Sequence, residues 1–598
     1  MDKKTNLKTW VVMAVLLVGM APAIATGGTI YIDAGASGAN DGTSWVDAYN
    51  YLQDALAVAQ DGNDIWVAEG TYKPDVNSAK PGGTGDDTAA FQLINGVAIY
   101  GGFPSGGGQW EERDPNAHKA MLSGDLNGDD IPTSPYNNGD NSYDVVTGWE
   151  TDANAVLDGF TISAGYDSGM YNEWYSSPTV TNCAFSGNYG SGMYNDSNSS
   201  PTVTNCTFSG NSAEWSGGGI YNYESSPTVT NCTFSRNYDS GMYNDSYSSP
   251  TVTNCTFSGN STEWDGGGMY NYESSPTVTN CIFSGNTAIE WGGGMCNDES
   301  SLTVTDCTFS GNSADLWDGG GMYNFYSSLM VTNCTFSGNS ADYGGGMCND
   351  ESSPTVTNCT FSGNSADYGG GMYNGWDSNP NITNCILWGN AADTNGAEVA
   401  LTDPNWPSTL TISYSDVEGG LAGLYIEPNC SVIWGLGNID ADPCFVETGY
   451  WDANGVWVDG DYHLASEGWR WDVQRKVWTW DDVTSRCIDA GNPGCMLGEE
   501  LLSVPRDPNN KWGQNLRINM GTFGGTAEAS MPPYDWAILS NFTNDGKVDL
   551  NDLAAFVDYW LDSGECIPSD LNHNQFVDFV DFAPLAQDWF LETNWYTP

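Results

Sequence analysis

The stretch "SSPTVTNC" occurs six times verbatim, first at Ser176–Cys183, and three further times with small changes. Its cysteines, Cys183, Cys206, Cys232, Cys255, Cys281, Cys307, Cys334, Cys359 and Cys385, are separated by 23, 26, 23, 26, 26, 27, 25 and 26 residues. Such a period predicts a solenoid of stacked coils, because a unit this small cannot bury its own apolar face. Within a unit, "TVTNCTF" offers Val, Cys and Phe as apolar positions, with Thr between them facing out. Alternation of this kind predicts short strands with a corner at the Asn. Helical periodicity is missing, and Ser, Thr, Asn and Gly, all poor helix formers, dominate. Three strands per unit, "GMY", "TVT" and "CTF", stacked in register, give three parallel sheets around one narrow core. The predicted fold is all-β, a right-handed parallel β-helix. Its rival, a leucine-rich horseshoe, lacks its repeated Leu.

Two Asn columns accompany the repeat. Asn182, Asn205, Asn231, Asn254, Asn280, Asn333, Asn358 and Asn384 precede the Cys, with Asp306 standing in once. Asn188, Asn211, Asn237, Asn260, Asn286, Asn312, Asn339, Asn364 and Asn390 follow five residues after it. Asn tolerates the left-handed backbone of a sharp corner, and its amide can bond the same amide one coil away. The Cys column reads as small apolar filling. Side chains about 4.8 Å apart and parallel are badly placed for a disulfide, so buried, reduced thiols are expected.

Unit length varies mainly between "FSGN" and "GMYN", so most of the extra residues protrude from one edge. The longer versions put Trp264, Trp291, Trp317, Tyr343 and Tyr368 at equivalent places on five consecutive coils. Glu263, Asp265, Glu290, Asp318, Asp342 and Asp367 lie beside them. Such rings either stack on sugar faces, as a carbohydrate-binding row, or lie flat over the Gly-rich turn.

Lys3, Lys4 and Lys8 precede an early apolar run, and Ala23-Ile24-Ala25 has the small-x-small form of a cleavage site. Residues 1–25 therefore read as a signal peptide, and the mature chain as secreted or displayed on the cell surface. No second apolar stretch predicts a membrane span. The 76 acidic against 16 basic residues give a net charge of -60, which excludes nucleic acid and anionic membranes as partners. A 13% aromatic content argues against acidic disorder.

"FSGN" and "GGGM" resemble the FxxN and GGA[IV] of chlamydial polymorphic outer-membrane protein repeats, surface β-helices implicated in adhesion. The resemblance covers about residues 157–390. It implies the fold rather than an activity, since the same coil builds the pectate-lyase-like superfamily of pectate lyases and polygalacturonases. The segment "SWVDAYNYLQDALAVAQDGNDIWVAEGTYKP" is similar to the opening of secreted bacterial β-helix proteins, where a short amphipathic helix, here near Ala48–Ala59, caps the first coil. Lyases of that superfamily abstract a proton with Arg or Lys, and the hydrolases cluster Asp with His and basic partners. Between Ala120 and Gly420 this chain has only Arg236 and no His. No catalytic residue is assigned. The first functional reading is a non-catalytic carbohydrate-binding protein or adhesin. The second is a polysaccharide lyase or glycoside hydrolase of polysaccharide catabolism, and the third a structural spacer.

The predicted organisation is a signal peptide (1–25), an N-terminal cap with the first coils (26–150), regular repeats (151–420), a C-terminal cap region (421–530) and a terminal module (531–598). In "GWRWDVQRKVWTWDD", Trp469, Trp471, Trp478 and Trp480 alternate, which predicts paired strands. Their aromatic face would cap the end of the solenoid or serve as a glycan platform. Cys430/Cys444 and Cys487/Cys495 are candidate local disulfides in an exported protein, although the sequence does not fix the pairing.

"NFTNDGKVDLND" and "DLNHNQFVDFVD" are twelve-residue loops with oxygen side chains at positions 1, 3, 5, 9 and 12. These are Asn541, Thr543, Asp545, Asp549 and Asp552, and Asp570, Asn572, Asn574, Asp578 and Asp581. Position 7 would offer a backbone carbonyl, from Lys547 and Phe576. This is the spacing of an EF-hand-like Ca²⁺ loop, in which alternate residues turn inward around a hard cation. Each is followed by an apolar helical stretch. The duplicated loop-helix units resemble type I dockerin modules, which implies bound calcium and a cohesin-like partner. Asn541, Thr543 and Gln575 depart from that pattern. A Ca²⁺-stabilised helical hairpin without a partner is the alternative.

Overall fold

Thr-Val-Thr sets one branched apolar side chain between two outward hydroxyls, so the stretch buries a single face and pairs best with its own copy. The computed structural model describes residues 27–130, 138–214, 217–500 and 514–595; the signal peptide expected at 1–25 lies outside them. A 15-stranded parallel sheet, from Thr29–Ile32 to Ser431–Trp434, collects the TVT strands. Two 13-stranded sheets collect the CTF and MYN strands. Across the TVTNCTF repeats pairing is in register: Val180 opposite Val203, Phe185 opposite Phe208, Met193 opposite Ile220. Parallel pairing continues past residue 420, to Ser431–Trp434.

The interior is a set of columns. From Phe185 to Phe361, rings stack with centroids 4.5–4.9 Å apart and planes within 5°. Each buried Phe contributes about 1.5–3 kcal/mol by removal from water. The nine ladder cysteines are buried and free. Cys183 N–H donates to Cys206 Sγ at 3.4 Å, and Cys206 Sγ to the Thr204 carbonyl at 3.3 Å, a pattern repeated up the column. Burial pushes the thiols of Cys206, Cys307, Cys334 and Cys359 well above their ordinary range.

The two Asn columns turn out to have different tasks. Asn182, Asn205 and Asn231 hold φ of 52–54° at the corner, and Asn205 Nδ2 donates to Asn182 Oδ1 at 3.4 Å. In the second column the left-handed residue is the one before the Asn: Gly187, Gly210, and Arg236 with φ 54°. The Asn itself is buried and forms an internal ladder, Asn211 Nδ2 donating to Asn237 Oδ1 at 3.0 Å. A third ladder, in the MYN strands, was not foreseen; there Asn222 Nδ2 donates to Asn244 Oδ1 at 2.8 Å.

Helix α1 (Leu52–Leu56) is shorter than the predicted 48–59, having no side-chain cap, and buries Leu52, Ala55 and Leu56 against the first coil. The larger difference lies after the coils. The predicted hairpin exists, Arg470–Asp472 pairing antiparallel with Val477–Thr479. Its Trp rings pack on one another, Trp469 with Trp480 and Trp471 with Trp478. The region beyond Trp434 folds back along the flank of the coils. The Trp457 indole lies across Gly311, Gly338 and Gly363, left-handed positions where any Cβ would collide with it. Asp459 accepts from Ser337 Oγ, Thr522 Oγ1 donates to the Asn333 carbonyl, and Asn358 Nδ2 donates to the Gly524 carbonyl.

The local disulfides are corrected. Cys430, Cys444 and Cys487 are free, and Cys495 pairs with Cys566, 71 residues away. Cys487 is buried with its Sγ donating to Asp416 Oδ2 at 3.0 Å, while docking of the terminal module brings Cys566 to Cys495. That module holds α2 (Leu550–Asp558) and α3 (Phe579–Gln587) around Phe542, Val548, Phe556, Leu571, Val577 and Leu585. Among the described residues no helix is long and apolar enough to cross a membrane.

Candidate functional site

The two terminal loops share one construction. Asp549 and Asp578 cap α2 and α3, each helix opening with a capping box. Position 12 of each loop is fully buried, and its Oδ1 accepts from the position-3 N–H: Thr543 to Asp552 and Asn572 to Asp581, both 3.1 Å. Positions 2 and 8 point into the module core, as Phe542 and Val548, Leu571 and Val577. Left-handed backbone falls at positions 4 and 6 in both: Asn544 and Gly546, His573 and Gln575. Gln575 thus adopts φ 67°, the turn that Gly546 makes freely.

The donors suit calcium. All side-chain oxygen groups at positions 1, 3, 5, 9 and 12 are hard donors, with three carboxylates per loop, and position 7 would lend the Lys547 and Phe576 carbonyls. Asn541 is 3% exposed, yet its Oδ1 has no hydrogen-bond partner, an orphaned acceptor where the first ligand of loop one would stand. Asp570 accepts from the N–H groups of Asn574 and Gln575. Lys547 Nζ lies 2.9 Å from Asp549 Oδ2, so a cation in loop one would share that carboxylate. Burial raises the Asp552 carboxyl above its ordinary range. Fully buried Arg517 clamps the first loop to the cap region, donating to the Asn541 carbonyl and Asn544 Oδ1 at 2.8 Å each.

The predicted aromatic row divides. Trp264 and Trp317 are 47% and 49% exposed. Trp291, Tyr343 and Tyr368 lie on the outer face of the MYN sheet, Trp291 stacked on Tyr323 and Tyr343 edge-on to Tyr373. Those three are half-buried by this packing. Trp264 instead borders a concave surface of about 530 Å³ with Tyr189 and Tyr238, rimmed by Glu214, Asp239 and Glu263. Tyr189 and Tyr238 were missed because they stand on short coils, directly after "FSGN" and "FSRN"; that shared offset from the Asn was the available signal.

Three acidic groups beside this row are half-buried, each with one carboxylate oxygen shut off from solvent. Burial pushes Asp265 up to about 7, Asp318 to about 8 and Asp350 to about 6. Ligand atoms of Asp318, Cys348 and Asp350 lie within 4.8 Å of one another.

Residues 145–300 and 292–433 match the family described as "Right handed beta helix region". No curated protein matches the chain. Among solved structures it is similar to pectate lyase Pel9A, with 14% identity over 84% of this chain and 97% of that chain, TM-score 0.33. It is also similar to a rhamnogalacturonan lyase, with 11% identity over 73% and 96%, TM-score 0.24. The catalytic unit of a GH87 α-1,3-glucanase from Streptomyces thermodiastaticus shares 11% identity over 65% of each chain, TM-score 0.27. The family match and the three parallel sheets make this chain a right-handed parallel β-helix repeat protein.

Proposed function

We propose that this is an exported, non-catalytic polysaccharide-binding protein, anchored through a calcium-loaded, dockerin-like module to a cohesin-like partner. The observation that carries the binding role is the surface formed by Tyr189, Tyr238 and Trp264 with Glu214, Asp239 and Glu263 at its rim. Ring faces stack on the CH faces of a sugar, and carboxylates accept from its hydroxyls. A net charge of -60 favours neutral glycans over uronates. Bound calcium would neutralise the loop carboxylates and fix α2 against α3. Exposed Leu550, Phe579 and Val580 at the starts of these helices give a protein partner an apolar contact.

The test is a screen of full-length protein against neutral and acidic polysaccharides, scored for retention and for products. Retention on a neutral glycan, lost at least tenfold in Trp264→Ala and Tyr238→Ala, supports the reading. New reducing or unsaturated ends would replace it with a hydrolase or lyase, and no retention on any glycan with a spacer.

A further inference from the structure

The internal repeats act as their own reference, and two of them deviate together. "WDGGG" occurs twice, at Trp264–Gly268 and Trp317–Gly321, and "MCND" occurs twice, at Met295–Asp298 and Met347–Asp350. Each "MCND" strand lies on the coil next to a "WDGGG" turn, Met295 pairing with Met269 and Met347 with Met322. At the position of the Cys the flanking coils carry Tyr, so Cys348 sits between Tyr323 and Tyr373 in the ladder. An Asp arriving on one coil is thus matched by a thiol replacing a phenol on the next.

In the later copy these groups converge. A carboxylate oxygen of Asp318, one of Asp350 and the Cys348 Sγ lie mutually within 4.8 Å. Asp318 Oδ1 and Asp350 Oδ1 are buried without a hydrogen-bond partner. Cys348 is 0% exposed, and among the described residues its thiol makes no hydrogen bond, unlike the cysteines of the inner ladder. Tyr323 donates to Asp350 Oδ2 at 3.2 Å, orienting that carboxylate. Trp291, Tyr323 and Tyr373 wall the cluster with apolar surface.

We propose that Asp318, Cys348 and Asp350 form a binding site for a borderline divalent cation of the Zn²⁺ type. A thiolate with two carboxylates suits zinc, which takes sulfur at about 2.3 Å and oxygen at about 2.0–2.2 Å. Tetrahedral ligands at those lengths stand about 3.5 Å apart, within reach of the present spacing by small side-chain rotations. Calcium prefers oxygen alone, which separates this site from the terminal loops. The earlier copy, Asp265 with Cys296 and Asp298, does not close to the same spacing and is not assigned a metal.

The experiment strips the full chain with chelator, saturates it with Ca²⁺, then titrates Zn²⁺ against a competing chromophoric chelator and, separately, Co²⁺ by absorption. One equivalent of zinc and a thiolate-to-cobalt charge-transfer band are expected. Both are lost, with at least a 100-fold fall in affinity, in Cys348→Tyr, which restores the residue of the neighbouring coils. The band survives in Cys296→Tyr. Asp318→Asn, which keeps size and fold, weakens zinc at least tenfold. Absence of the cobalt band in the native chain, or its persistence in Cys348→Tyr, overturns the proposal.

Discussion

Asn254 and Asn260 show how one residue type carries two loads six positions apart. Asn254 holds φ 54° at an exposed corner, and its amide bonds Asn231 at 3.2 Å. Asn260 is buried, accepts from Asn237, and donates to the Phe234 carbonyl and Asn286. Glycine reaches the corner conformation without penalty, so Asn254→Gly is expected to change stability by less than about 0.5 kcal/mol. Asn260→Ala leaves buried partners on two neighbouring coils unpaired and should cost about 2–4 kcal/mol in urea denaturation. Equal effects at the two positions would contradict the division. Arg236 tests the corner from the other side. It stands exposed at φ 54° in a column otherwise held by Gly, so Arg236→Gly should stabilise by about 1 kcal/mol.

At the scale of elements, the Cys495–Cys566 link and Arg517 make the terminal loops part of the cap region rather than a tethered appendage. Closing a loop of about 70 residues contributes about 4 kcal/mol in the chain-entropy account. Cys566→Ser should therefore lower the unfolding midpoint of the module while the β-sheet circular dichroism of the coils persists. Chelation of calcium should do the same, and Asp552→Ala should remove the response of the first loop only. A single cooperative loss of coils and module together would refute both expectations. What the sequence disclosed here follows the same division. Each coil repeats its neighbour, so register, core columns and corner were legible from spacing alone, as were the two twelve-residue loops and the helices that follow them. The fold-back of Trp457 over Gly311, Gly338 and Gly363, the pairing of Cys495 and the site around Cys348 join residues that no period relates. Only packing reveals them, although the paired "WDGGG" and "MCND" left a trace.

For the whole molecule, the consequence of so much acid is a stability that depends on protons in an unusual direction. Burial pushes Glu398 and Glu500 up to about 8 and Asp416 and Asp489 to about 7, from ordinary values of 4.5 and 3.8. A carboxyl whose folded value is raised keeps its proton where the unfolded chain has lost it. Its stabilising contribution is whole below about pH 4 and disappears as pH climbs through 7–8. Each group is worth on the order of 2–4 kcal/mol between pH 5 and pH 8, and self-repulsion at a charge of -60 acts in the same sense. Asp549, held low by the Asn551 N–H, opposes them only weakly because it is exposed to solvent screening. At fixed saturating calcium the Tm should therefore fall steadily from pH 5 to pH 8.5. Added salt should recover the repulsive share of that fall and leave the buried share. Glu398 accepts from Asn390 N–H and Nδ2, and Glu398→Gln keeps an acceptor there without a titrating proton. The variant should match the native Tm near pH 5 and exceed it above pH 8. A native Tm that rises across this interval would mean that the buried carboxyls are ionised and paired in the folded chain, against the burial that raises them.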